Sequence, residues 1–372
     1  MFVKTFFKKL LQTFCCRFII GLLIFYAQRE VLFIKKKFSF AFTFCGCFLG
    51  AGFISGQELW QFFGAFGLWG YLGLALAMVL TALCGMLILK LARKGGFQTM
   101  DRMIVPWKHS APFRHAVGAV QFIFLLGVTT IMAAGAGALL HSLWSLPRWS
   151  GALLLLLPVG VASLFGTEGL IRIFDYLVPI LTTLTVVISG CLLVRNGFSA
   201  PSPQPTGNPL LSNFILSAVT FVCYNLFSAF GVLIPLAHRE PKPLAGTLLG
   251  CGVLLLIALA VLLPIGSHST AELPMLEAAA SLHPLLKYVY GLLLLAAMFA
   301  AGLTCTAGCL QFAKRPKRLL PFCLAFCFAG SLIGFGDLIG TVYPLAGYLS
   351  LFGIISMLIY YIRSRKNGTE TI

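Results

Sequence analysis

The sequence predicts an all-α polytopic membrane protein. About ten transmembrane helices form two five-helix repeats of inverted orientation (5+5), with discontinuous first and sixth helices. Three observations carry this. The 372-residue chain is 59% hydrophobic and only 10% charged, and its mean hydropathy is +0.96. That is more apolar surface than a soluble domain can hide. Apolar stretches of bilayer-spanning length recur from residue 38 to residue 362. Basic residues gather in alternate loops between them, as cytoplasmic loops do.

Residues 1–37 carry Lys8, Lys9, Arg29 and Lys35 around the apolar stretch 10–27. Basic residues on both sides disfavour a span. No small-residue cleavage site follows, which disfavours a removable signal. An interfacial or disordered N-terminal extension is expected. The candidate spans are about 38–63, 68–91, 113–140, 150–165, 172–195, 211–237, 244–265, 284–312, 317–334 and 338–362. The fourth and ninth are short. A Pro-rich outer connector at 197–210 separates a first repeat (38–196) from a second (211–362) of nearly equal length. Five spans per repeat force the second to be inverted. Residues 266–283 read as an outer lid of short helical pieces, opened by the capping-box pattern Ser269-Thr270-Ala271-Glu272. Residues 363–372 form a cytoplasmic tail.

With ten spans, 19 basic residues fall on the inner side of the core and three, Arg148, Arg195 and Lys287, on the outer. This split places both core termini in the cytoplasm of a multi-pass inner (plasma) membrane protein. It also accounts for the net charge of +17 without a nucleic-acid partner, the lipid bilayer being the surface that such loops face. The twelve cysteines lie mostly inside apolar spans, where a thiol acts as a small hydrophobe. Cys305-x3-Cys309 lacks the companion pair of a zinc site, so no metal site is expected, and no other cofactor. No P-loop, nucleophile–base pair or metal constellation points to ATP-driven transport or to an enzyme. Oligomeric state has no signature here.

Function concentrates in the first span, which holds Gly50-Ala51-Gly52-Phe53-Ile54-Ser55-Gly56-Gln57-Glu58. Glycine loosens a helix and leaves backbone groups unpaired. At membrane depth such groups must line a cavity or be buried in protein, and an interrupted span is a pointer to a transporter's binding site. Ordinary close helix packing is the competing explanation. Glu58 favours a functional one, because an ionisable residue within a span is a functional candidate, although a carboxylate bracing the outer half-helix stays open. In the sixth span, Asn225, Ser228 and Gly231 again place polar and loosening residues at mid-depth. Two broken helices meeting there would aim free amides at an anionic group, so the expected partner is a small molecule with a carboxylate, such as an amino acid. Hydrogen bonding of Asn225 and Ser228 to neighbouring helices is the alternative. In the eighth span, Thr304 and Thr306 could join carbonyls around a sodium ion, unless both hydroxyls bond back into their own turn. The acids Glu168 and Asp175 flank Arg172 as a local ion pair, and Asp337 sits in an outer turn.

Residues 43–69, with Gly50-Ala51-Gly52-Phe53 and Gly56-Gln57-Glu58-Leu59-Trp60-Gln61-Phe62-Phe63, resemble bacterial membrane proteins of the YkvI kind. Those are similar to the amino acid–polyamine–organocation transporter superfamily with its LeuT-like fold. The resemblance implies that the amides of Gly50, Ala51 and Gly52 hold a substrate carboxylate, partnered by Ser228 to Gly231. It also implies a sodium site on the eighth span. Ala301 and Thr304 fit its spacing, but Cys305 stands where a second hydroxyl belongs. That departure shifts weight from Na+ to H+ as coupling ion, carried by Glu58. The expected function is an ion-coupled secondary transporter, a symporter of a small amino acid or related solute with alternating access at the midplane. A ligand-sensing membrane receptor or channel subunit, like the spore-germinant receptors related to this fold, is the alternative.

Overall fold

The computed structural model describes residues 32–97, 100–105, 111–165, 168–197, 208–239, 243–265, 271–311 and 316–366. The chain divides after Phe38 into an N-terminal unit and a core unit, Ser39–Ile372. Of the N-terminal unit only residues 32–38 are described, and they are helical. The expected extension therefore falls mostly outside the described residues, as do most of the connector, the Ser269-Thr270 pair and the end of the tail.

Among the described residues the ordered elements are helices. In chain order they are α1 (Leu32–Gly46), α2 (Ala51–Ser55), α3 (Gln57–Phe62), a 3-10 turn (Gly64–Phe66), α4 (Leu68–Lys94), α5 (Met100–Ile104), α6 (Ala111–Trp144) and α7 (Arg148–Ser163). Then follow α8 (Glu168–Asn196), α9 (Phe214–Arg239), α10 (Leu244–Leu262), α11 (Pro274–Leu282), α12 (Pro284–Gln311), α13 (Pro316–Ser331) and α14 (Phe335–Lys366).

Seven of these, α4, α6, α8, α9, α10, α12 and α14, are long and apolar enough to cross a membrane. Their apolar residues run round most of the helix, as bilayer-embedded helices require. Exposed Leu72, Val79 and Leu83 on α4, and Phe322 and Phe326 on α13, make apolar outer faces suited to lipid. The other three expected spans differ. α7 and α13 have 16 residues each, about 24 Å of helix against a hydrocarbon core of roughly 30 Å. The first span is divided into α1, α2 and α3.

The expected break in the sixth span is absent. α9 is one continuous helix through residues 226–231. The reason is local. Asn225 Nδ2 donates to the Phe221 carbonyl at 3.0 Å and Ser228 Oγ to the Asn225 carbonyl at 2.8 Å. Both polar side chains thus satisfy themselves on their own helix without disturbing its ladder.

α9 packs on α4 and α14, while α6 packs on α7, α12 and α13. The α6–α7 crossing is set by glycine. A Cβ on Gly151 would lie 2.3 Å from the Ala136 carbonyl oxygen, and one on Gly137 would lie 2.5 Å from the Arg148 carbonyl oxygen. Backbone meets backbone there, which only hydrogen side chains permit.

Candidate functional site

The first span breaks twice. α1 ends at Gly46, and residues 47–50 descend through turns, with Leu49 N–H bonded to the Gly46 carbonyl at 3.2 Å and Gly50 N–H to that of Phe48 at 3.1 Å. α2 then begins at Ala51, whose N–H is directed to Met132 Sδ at 3.4 Å. The second break is Gly56, at φ +88°, a left-handed conformation that L side chains resist. The Ile54 carbonyl before the break is taken up from afar: Tyr290 Oη on α12 donates to it at 2.8 Å, with Thr185 Oγ1 3.5 Å from the same hydroxyl. Tyr290 is fully buried. Tyr290→Phe should strand that carbonyl and lower stability by roughly 1–3 kcal/mol. Thermal unfolding of the purified protein measures this, and an unchanged midpoint would contradict it.

Glu58 lies in the first turn of α3 and is only 2% exposed. Tyr224 Oη on α9 donates to its Oε1. Asn225, the next residue, lines the same cavity as Glu58. The Tyr343 ring from α14 stacks on that of Tyr224, with centroids 4.5 Å apart and planes at 10°. Behind the carboxyl stands Gly52, where an added Cβ would lie 2.8 Å from Oε2. Among the described residues the ion pairs are Arg148–Glu272 and Lys287–Glu277, so Glu58 is held by a hydroxyl rather than by a cation.

These groups face a small cavity of about 30 Å³ between α1, α3, α6, α8, α9, α12 and α14. It has room for roughly two waters. Six residues singled out from the sequence line it: Gly50, Glu58, Asn225, Ser228, Ala301 and Thr304. Cys305, the position that departs from the sodium pattern, lines it too. The other five do not. Ala51, Gly52 and Phe53 are buried in α2, Phe53 against Phe221 with ring centroids 6.3 Å apart. Gly231 lies farther along α9, with nothing within 4 Å of where its Cβ would be. Thr306 points to Thr129, 3.4 Å away. Thr304 Oγ1 donates to the Ala300 carbonyl at 2.8 Å, so its hydrogen is spent within its own helix while its lone pairs remain.

Sequence reasoning missed Tyr224, Tyr343 and Phe174, which line the cavity with Gly46, Cys47, Phe48 and Val128, and Met132 and Tyr290, which hold the broken helix. It also overlooked that Cys305 and Cys309 on α12 have neighbours in Cys323 and Cys327 on α13. Cys309 and Cys327 bond to the Phe122 and Leu126 carbonyls of α6. Even so, the described residues contain no group of three potential ligands placed to hold a metal ion. Asp175 accepts a hydrogen bond from Ser39 at 2.9 Å, while the Glu168 side chain lies outside the description. Asp337 falls in the first turn of α14 rather than in a loop.

No family model matches the chain. Over 338 residues it is 27% identical to the uncharacterized membrane protein YkvI of Bacillus subtilis (strain 168), covering 86% of this chain and 94% of the relative. It is 26% identical over 343 residues to the uncharacterized protein YyaD of the same organism, covering 86% and 95%. Among solved structures, a manganese transporter of Eremococcus coleocola aligns with 92% of this chain and 75% of its own at 14% identity and a TM-score of 0.45. That likeness is too slight to carry over a fold or a cargo. Matched nearly end to end, and built from apolar helices of spanning length, the chain is a homologue of the YkvI and YyaD proteins of Bacillus and a multi-pass membrane protein.

Proposed function

We propose that the chain is a secondary transporter of a small amino acid or related organic solute, driven by protons through Glu58. It works by alternating access on a LeuT-like frame of inverted repeats, in the bacterial cell membrane, with its core termini in the cytoplasm. The observation that carries this reading is the buried, cation-free Glu58 carboxyl, which faces a cavity at a broken helix. A buried acid without a counter-ion can exchange a proton as its surroundings change, and such residues mark proton and substrate pathways.

Protons are favoured over sodium by the lining of α12. Cys305 offers sulfur where a hard cation wants oxygen, and Thr306 is turned toward α6. The cavity's charge pattern suits a substrate ammonium group. Its lining includes an acid and the C-terminal end of α1, where the helix dipole is negative, and no Lys or Arg. The substrate carboxylate would reach the Gly50 side of the break. At about 30 Å³ the cavity must widen to admit an amino acid, which the turns at 47–50 permit without breaking a long helix.

Purified protein in proteoliposomes, given labelled amino acids under an imposed proton or sodium gradient, tests the reading. Accumulation driven by the pH gradient is expected. Binding without accumulation would overturn transport in favour of a sensor or channel subunit.

A further inference from the structure

By the charge pattern of the sequence, only Arg148, Arg195 and Lys287 among the basic residues of the core fall on the sparsely charged face. They come from three helices: the start of α7, the end of α8 and the first turn of α12. All three converge on one short segment. Arg148 Nη1 lies 2.9 Å from Glu272 Oε1. Lys287 Nζ lies 3.6 Å from Glu277 Oε1, and the same carboxylate accepts Ser142 Oγ at 3.0 Å. Arg195 donates to the Ser281 carbonyl, at the C-terminal end of α11, where the helix dipole favours a cation.

The segment has a second, opposite character on its underside. Met275, Leu276, Ala278 and Ala279 are buried, and α11 packs against α2, α8 and α12. So α11 sits on the piece of broken helix between residues 50 and 56. Lys287 also stands one turn from Tyr290, the residue that holds the Ile54 carbonyl. The apolar underside seals, and the ionic contacts lie at the rim. The side chains of Arg148 and Glu272 are 47% and 39% exposed, which leaves each contact weak and open to screening by salt. Ser269 of the capping box anticipated from the sequence lies outside the described residues; α11 begins after Leu273 with no side-chain cap, and Glu272 is engaged by Arg148.

We infer that α11 with Glu272 is an ionically latched lid over the α2 break, held at its rim by Arg148, Arg195 and Lys287 and loosened when those contacts are screened or reversed. The latch joins the ends of three helices through one short piece, residues 272–282, so a relative shift of α7, α8 or α12 pulls on the lid. Conversely, lifting the lid frees the Tyr290 end of α12 and uncovers α2. The inference draws its consequence, control of access to the cavity, from the transport reading. Its test needs no substrate, so a failed uptake assay leaves it standing, and its own failure leaves the uptake result untouched.

The test is hydrogen–deuterium exchange of the native chain in nanodiscs, read on peptides covering α11 and on the middle of α12 as control. Raising salt from 0.1 M to 1 M shortens the screening length from about 10 Å to about 3 Å. Exchange of α11 should rise roughly two- to fivefold, the factor expected for losing weak surface pairs, with the middle of α12 unchanged. Arg148→Glu should reproduce the rise at low salt, and Arg148→Glu with Glu272→Arg should reverse it. Exchange of α11 that is flat with salt, or a charge swap that fails to restore protection, would overturn the latch. If Arg148→Glu does not fold, the salt comparison on the native chain decides alone.

Discussion

Glu58→Gln should lose accumulation driven by a pH gradient while still exchanging substrate across the membrane. One pH unit can sustain about tenfold accumulation per coupled proton, equivalent to about 1.4 kcal/mol, and the variant should fall to simple equilibration. The substitution is a narrow one. Glutamine keeps an oxygen for the Tyr224 hydroxyl and fits the same space against Gly52, where even a Cβ would approach within 2.8 Å. What it removes is titration. Counterflow of labelled against unlabelled solute checks that the site still binds, and uptake under an acid-outside gradient reads the coupling. Undiminished pH-driven uptake would exclude Glu58 as the coupling group. Loss of folded protein would point instead to a carboxylate that braces α3 against α9.

Gly151→Leu should severely damage the folded state. Its Cβ would lie 2.3 Å from the Ala136 carbonyl oxygen and 2.7 Å from Gly137 Cα, backbone atoms that cannot swing aside as a side chain can. α6 and α7 must then separate, and their shared contacts with α12 and α13 open with them. The cost should reach about 3 kcal/mol or more. Gly190→Ala is the control, since a Cβ there meets nothing within 4 Å. Thermal unfolding in detergent should show a large drop for the first and almost none for the second. Equal midpoints would mean that the helices do not cross as closely as described.

How far the site could be read from the sequence depended on distance along the chain. Although the first break falls earlier, where α1 ends at Gly46, the interruption of the first span was legible because glycines at 50, 52 and 56 act locally, through the backbone. Their effect needs no partner. Asn225 and Ser228 misled for the same reason: they too act locally, but by bonding to their own helix, so polarity at mid-depth did not mean a break. Tyr224 and Tyr343 were invisible as partners. They meet Glu58 and each other across more than a hundred residues, and an aromatic in an apolar span looks like core or lipid-facing packing. Met132 was hidden similarly, because a thioether carries no sequence sign that it will face an amide. The short fourth and ninth spans were legible from length alone. The pairing of α12 with α13 through their cysteines was not, since it depends on which faces two separate helices turn to α6.

The two positive-φ glycines on either side of α3 and the 3-10 turn that follows it, Gly56 at φ +88° and Gly67 at φ +60°, divide the chain's freedom unevenly. Residues 57–66 between them are helical or nearly so and carry their torsions as a stiff block. The four backbone angles of the two glycines have no side chain to hinder them. A swing of this block therefore needs rotation about a handful of bonds at two points, with no helix to unwind or refold. The carboxyl of Glu58 rides two residues from one pivot, so a small turn at Gly56 moves it little, while the same turn carries Phe62 and Phe63 across the face of Phe221. The block has the geometry of a lever with its acid near the fulcrum: under the proposed function, a proton exchanged at the short arm would be read out as aromatic repacking at the long one.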